Sequence, residues 1–234
     1  MFENAESLTL KGKALKSLTV GGAVIWKKKV KVSRLPAGYQ EVEYIANTAA
    51  NTAYINTGIQ TQANIGVKFS VMYSGTSAQR PMGARRTSSN SLFIPGLYNG
   101  GKISIAYGNK AETSFSSAVT GKALNTKYET SLNYLNDGKA VFDGTTMSSA
   151  ILDSNTFTTP YNIYLFAVNG AGSLLSNAFV GRLYETILSV GASLVADFVP
   201  CYKTDTGEIG MYDIVRNAFY GNVGSGSFTK GADV

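Results

Sequence analysis

Apolar and polar residues alternate with a period of two along much of this chain, and no convincing stretch repeats at the 3.6-residue period of an amphipathic helix. Val67, Phe69, Val71 and Tyr73 alternate with Lys68, Ser70 and Met72, while Ile103, Ile105 and Tyr107 alternate with Lys102, Ser104 and Ala106. Strands with one buried face have this pattern, because successive side chains point to opposite sides of a sheet. Further strand candidates are 39–45, 53–59, 92–98, 127–135, 140–142, 162–168, 179–190, 194–202 and 211–215. Asn136-Asp137-Gly138-Lys139 supplies Asp-Gly turn chemistry between two of them. Short strands separated by Gly, Asn and Ser loops over about 200 residues predict an all-β, two-sheet antiparallel sandwich. No repeat of the solenoid or propeller kind interrupts that reading.

The 234 residues are 44% hydrophobic and 15% charged, enough apolar material for a buried core and too little charge for a disordered chain. There is no His, and the single Cys is Cys201. That removes every Ser-His-Asp or Cys-His nucleophile, every Cys/His zinc site and any disulfide framework, and no cofactor is expected. In its apolar Pro-Cys-Tyr setting, Cys201 is expected to be a buried small hydrophobe. No apolar run approaches the roughly 20 residues of a membrane-spanning helix, and no signal-peptide core precedes Ala14, so a soluble chain without an export signal is expected.

The formal charge is +6, and its distribution matters more than its size. Residues 1–34 hold eight bases against Glu3 and Glu6, which accounts for the whole excess; the rest of the chain holds 13 bases and 13 acids. A body that read nucleic acid would carry a basic stripe of its own, so neither nucleic acid nor membrane is an expected partner. The basic segment is instead an arm, 1–34, preceding one domain, 35–234. Within it, 14–20 and 23–27 flank Gly21-Gly22, a pair suited to a two-residue hairpin turn that needs positive φ at both central positions. An unbroken hairpin places Leu18, Val20, Ala23 and Ile25 on one face and Ser17, Thr19, Val24 and Trp26 on the other. An isolated hairpin is marginal in water. Leu18, Val20, Ile25 and Trp26 are therefore the candidate docking residues, toward another protein, a second copy or the chain's own domain. Lys27-Lys28-Lys29-Val30-Lys31 reads as a solvated linker or charged edge.

Both ends of the 35–234 segment carry motifs. Leu35-Pro36-Ala37-Gly38-Tyr39-Gln40-Glu41-Val42-Glu43-Tyr44-Ile45, with Ala53-Tyr54-Ile55-Asn56-Thr57-Gly58-Ile59, resembles the opening of a family common in phages and prophages of gut bacteria. Asp197-Phe198-Val199-Pro200-Cys201-Tyr202, Gly207-Glu208-Ile209-Gly210-Met211-Tyr212-Asp213 and 219–231 are similar to its ending, and Gly83-Ala84-Arg85 and 162–167 to two of its internal strands. The resemblance implies a concanavalin-A-like, laminin-G-like jelly roll on a virion protein such as a fibre, baseplate or decoration subunit. The arm also resembles hairpins found on such proteins. Asn47-Thr48-Ala49-Ala50-Asn51-Thr52 replaces the family's Ser-Thr-Gly turn, Asn56 its Asp, and Val168 its common Arg.

Glucanases on the same jelly roll need two carboxylates about 5 Å apart, often from an alternating row of three acids. Glu41 and Glu43 alternate but have no third member, and are expected to be two solvent-facing carboxylates. Asp205, Glu208 and Asp213 lack a calcium-loop pattern and are read as turn-forming acids. For sugar binding, the useful constellation is an aromatic face beside amide and guanidinium donors. Tyr73-Ser74-Gly75, Tyr98-Asn99-Gly100-Gly101, Tyr107-Gly108-Asn109-Lys110 and the arginines Arg80, Arg85 and Arg86 provide candidates, of which Tyr98, Asn99, Tyr107 and Arg85 are singled out. The sequence reading is thus a non-enzymatic phage virion protein, multimeric, with a docking hairpin and a lectin-like domain for host-surface or mucosal glycans. A purely structural decoration or fibre subunit that binds neighbouring virion proteins is its alternative, and a polysaccharide hydrolase its enzymatic rival.

Overall fold

The computed structural model describes residues 33–49, 52–88, 90–109, 120–148, 155–175 and 179–234, together with the backbone pairing of four short strands within 9–27. The chain divides into two compact units, Met1–Ser33 and Arg34–Val234. In the first, β1 (Thr9–Leu10) pairs with β2 (Lys13–Ala14) and β3 (Ser17–Val20) with β4 (Ala23–Lys27), both antiparallel. The β3–β4 hairpin begins in the expected register, Val20 opposite Ala23 and Thr19 opposite Val24, but Leu18 then lies opposite Trp26 and Ser17 opposite Lys27. One extra residue has entered β4, as in a β-bulge, so the face assignment of an unbroken hairpin does not hold beyond Thr19. Gly21, Gly22, residues 28–31 and the side chains of Leu18, Val20, Ile25 and Trp26 lie outside the described residues.

The second unit is a two-sheet, jelly-roll-like β sandwich. Its strands in chain order are β5 (Tyr39–Glu41), β6 (Ile45–Asn47), β7 (Ile55–Gln60), β8 (Ile65–Tyr73), β9 (Met82–Arg85), β10 (Leu92–Asn99), β11 (Lys102–Gly108), β12 (Lys127–Leu132) and β13 (Ala140–Phe142). There follow β14 (Thr145–Ser148), β15 (Asn162–Leu165), β16 (Asn169–Gly170), β17 (Ser173–Leu174), β18 (Gly181–Val190), β19 (Ser193–Lys203), β20 (Ile209–Asp213), β21 (Ala218–Tyr220) and β22 (Thr229–Lys230). The larger sheet runs β14-β13-β12-β8-β18-β19-β20-β21, with β5 on β19, β6 on β18 and β22 on β6. The smaller runs β11-β10-β9-β15-β7, with β16 on β9 and β17 on β16. Among the described residues, all pairings are antiparallel except β16 with β9.

The inward residues of both layers form one core. Val67, Phe69, Val71, Tyr73, Leu183 and Phe198 from the larger sheet meet Ile55, Met82, Phe93, Ile103, Ile105, Tyr107 and Leu165 from the smaller, all at most 2% exposed. Tyr73 stacks on Tyr98 across the layers at 5.1 Å. The Tyr107 hydroxyl donates to the Ile65 carbonyl at 2.7 Å and accepts from Asn133 Nδ2 at 3.0 Å. Burial pushes both the Tyr73 and the Tyr107 hydroxyls far above the ordinary tyrosine range.

Several expected strands are shorter than their apolar runs, for backbone reasons. The run 127–135 stops at Leu132 because Asn133 and Leu135 take left-handed φ of 48° and 52°, and a 3-10 turn spans Tyr134–Asn136. The run 162–168 stops at Leu165 because Phe166 has φ 66°. The run 39–45 breaks in two where Val42 leaves the β5 ladder to bridge Asp233.

Candidate functional site

Five strands of the larger sheet bring one row of side chains to the face opposite the core. Thr229 on β22 lies opposite Ala46 on β6, Ala46 opposite Arg182 on β18, Arg182 opposite Met72 on β8, and Met72 opposite Lys127 on β12. Residues directly opposite in a sheet share a face. Leu183 is buried in the core, so alternation along β18 turns its neighbours Arg182 and Tyr184 outward. Tyr44, just before β6, completes the cluster.

Thr229, Ala46, Arg182 and Met72 of this row line a groove of ≈ 360 Å³ together with Tyr44, Asn47, Ser74 and Asn125, and Lys127 lies one strand beyond it. The Arg182 guanidinium carbon sits 4.2 Å from the Tyr44 ring centroid. Tyr44 meets Tyr184 edge-on at 5.5 Å, and Lys127 Nζ lies 4.4 Å from the Tyr184 centroid. Each cation is thus held on the negative face of a ring, an arrangement contributing about 0.5–1 kcal/mol at exposed sites. The Asn47 side chain accepts from the Gly181 amide at 3.3 Å through Oδ1, while its buried Nδ2 has no hydrogen-bond partner among the described residues. Gly181 is required at that wall, since a Cβ there would lie 2.0 Å from the Met72 carbonyl oxygen. A second, smaller groove of ≈ 200 Å³, lined by Lys68, Glu129, Thr130, Ser131, Val141 and Gly144, has no aromatic residue among the described ones.

The glycan candidates taken from the sequence do not gather in one place. Tyr98 is 5% exposed and Tyr107 fully buried, so both rings belong to the core and neither offers a face to a sugar. Asn99 is exposed at the end of β10 beside Lys102. Arg85 is half-buried at the end of β9, next to Ala84, which pairs with Phe93 toward the other end of β10. Gly-rich flanks place a tyrosine near a turn in sequence, whereas its parity along the strand decides which side it faces. Tyr44, Asn47, Lys127, Arg182 and Tyr184 were not singled out in the sequence. The one local signal was Arg182-Leu183-Tyr184, which puts a cation and an aromatic on one face of a strand.

The acids have separate partners. Glu43 is exposed as expected, but Glu41 is 2% exposed and its Oε2 accepts from the Arg34 amide at 3.4 Å, which corrects the expectation of two solvent-facing carboxylates. Chain segment 33–38 carries Arg34 to Glu185 and, at 3.5 Å, to Asp197. Burial, reinforced by the nearby Glu185 charge and opposed by Arg34, pushes the Asp197 carboxyl up to about 6. Asp205 Oδ1 accepts from the Thr206 amide at 2.7 Å and Glu208 pairs with Lys203 at 2.6 Å. Asp213 is fully buried, accepts from the Asp197 and Val215 amides at 3.0 Å each, and pairs with Arg216. These three are turn- and strand-end groups with different partners.

The molecule is thus a two-sheet β sandwich with an aromatic, cationic groove on the outer face of its larger sheet. No protein-family model matches the chain, and no curated protein matches it. Among solved structures, a candidate carbohydrate-binding protein from Bacteroides ovatus superposes with a TM-score of 0.54 at 12% identity, over 95% of this chain and 68% of that one. That likeness shows the fold.

Proposed function

We propose that this chain is a non-enzymatic phage virion protein whose 34–234 unit binds a glycan of the host surface or mucosa. In this reading the 1–33 unit attaches it to other virion proteins, and copies self-associate. The observation that carries the binding half is the groove: ≈ 360 Å³ is within the size range of small-molecule sites, and its walls mix the apolar surfaces of Tyr44 and Met72 with the polar groups of Asn47, Ser74, Asn125 and Arg182. A sugar, with C–H faces and hydroxyl edges, suits such walls. The fold likeness to a candidate carbohydrate-binding protein agrees with it. The motifs at both ends of 35–234 support the virion half.

A glycan array followed by calorimetry on the best ligand tests the binding half. Tyr44→Ala, which removes the ring under Arg182, is expected to weaken binding by about tenfold or more, equivalent to about 1.4 kcal/mol, with the fold retained by circular dichroism. An affinity unchanged by Tyr44→Ala and by Tyr184→Ala moves the site elsewhere. Immunogold labelling of intact particles tests the virion half. Labelled particles combined with an empty glycan array would instead indicate a purely structural subunit.

A further inference from the structure

We infer that the groove selects anionic saccharides, those carrying a carboxylate or a sulfate, through Arg182 with help from Lys127; this rests on the reading of the groove as a glycan site. Several cations of the sandwich pair with an acid, and Lys122, Lys203, Arg216 and Lys230 lie on an aromatic ring as well. Arg34 pairs with Glu185, Lys122 with Asp143, Lys203 with Glu208, Arg216 with Asp213 and Lys230 with Asp233. Arg182 and Lys127 differ from these: each lies on a tyrosine ring, but neither side chain has a hydrogen bond or ion pair among the described residues. Among the described residues, no Asp or Glu lines the groove.

Ring stacking leaves the hydrogen-bonding capacity of a guanidinium intact, because its five N–H donors point outward in its own plane while the ring covers a face. The Tyr44 ring therefore holds Arg182 in a fixed orientation with its fork available, which lowers the ordering cost of binding a planar oxyanion by two parallel hydrogen bonds. The groove takes up no counter-charge of its own, so an anionic ligand meets an uncompensated positive field at close range. Lys127 lies one strand beyond Met72 on the same cross-strand row, where it adds charge without a directional fork.

The test is an array presenting the same oligosaccharides in neutral, carboxylated and sulfated forms, with affinities then measured by calorimetry on the full chain for 3′-sialyllactose against lactose, trigalacturonate against galactotriose, and sulfated lactose against lactose. The charged member of at least one pair is expected to bind about tenfold or more tightly than its neutral counterpart, a preference that shrinks as salt rises. The uronate and sialyl pairs against the sulfate pair show which oxyanion is read. Arg182→Gln should abolish the preference, costing the charged member about tenfold more affinity than its neutral counterpart with the fold retained by circular dichroism, Arg182→Lys should restore it only in small part, and Lys127→Gln should reduce it. Equal binding of charged and neutral members, or a preference that survives Arg182→Gln, overturns the selectivity and leaves the glycan site standing. Binding of no sugar of any charge overturns the site and this inference with it.

Discussion

Asp197 shows how one carboxylate can weaken a fold at neutral pH while remaining well partnered in its backbone. Its Oδ1 is buried without a hydrogen-bond partner among the described residues, its Oδ2 lies 3.5 Å from Arg34, and burial lifts its carboxyl from 3.8 to about 6. The folded state then binds the proton more tightly than the unfolded one. This group's contribution is greatest below the unfolded value and is lost as pH rises through about 6. Asp197→Asn should therefore stabilise the protein at pH 7.5 by about 1–2 kcal/mol and leave it nearly unchanged near pH 4, with chemical denaturation at the two pH values as the measurement. An equal effect at both would show that charge is not the cause. Cys201 gives a second check: it is fully buried, and burial pushes its thiol up to about 12. A thiol reagent at pH 8 should modify it only after denaturant unfolds the protein.

Strand β18 is the element on which core and groove both depend. Leu183 and Leu188 face the core, Arg182 faces the groove, and the strand pairs with β8, β6 and β19. Its first residue, Gly181, sits so close to the Met72 carbonyl that a methyl group cannot be accommodated without moving β8. Gly181→Ala should cost about 1–3 kcal/mol and also displace the Asn47 amide that Gly181 binds, so thermal stability and glycan affinity should fall together. Gly66 makes the same kind of approach where β8 passes the loop after β12, since a Cβ there would lie 2.0 Å from the Asn133 carbonyl oxygen. Near that loop, Tyr107→Phe removes a hydroxyl bonded to Ile65 and Asn133, and a loss of about 1 kcal/mol by denaturant titration is the expected result.

At the level of the chain, 34–234 contains both sheets and a shared core, so removal of 1–33 should leave a folded sandwich with unchanged melting temperature and unchanged sugar affinity. In the proposed function the same deletion abolishes incorporation into particles; truncated protein found on virions at normal copy number would refute the role given to the arm. Apolar side chains contribute roughly 1.5–3 kcal/mol each when fully buried at an interface, whereas exposed ion pairs contribute less than about 1 kcal/mol. Trp26→Ala should accordingly weaken attachment more than joint neutralisation of Lys27, Lys28 and Lys29. The reverse order would make the arm an electrostatic tether.

The all-β class was legible because alternation is a property of neighbouring residues: Val67, Phe69, Val71 and Tyr73 face one way wherever the strand is placed. Strand ends were less legible, since the left-handed turns at Asn133 and Phe166 interrupt apolar runs that continue in sequence. The same locality explains Tyr98 and Tyr107, whose Gly-rich flanks suggested a rim although both rings lie in the core. The bulge in β4 likewise left no local mark, because it follows from pairing with β3. Cys201 was legible from its apolar neighbours and is buried. The groove was not, because Thr229 and Ala46 pair across 183 residues of sequence and Arg182, Met72 and Lys127 join them only through three further ladders. Alternation settles which side of its own strand each residue occupies; only the register between strands places Arg182 on Tyr44 and Lys127 on Tyr184, because that register is set by long-range pairing and not by neighbours along the chain.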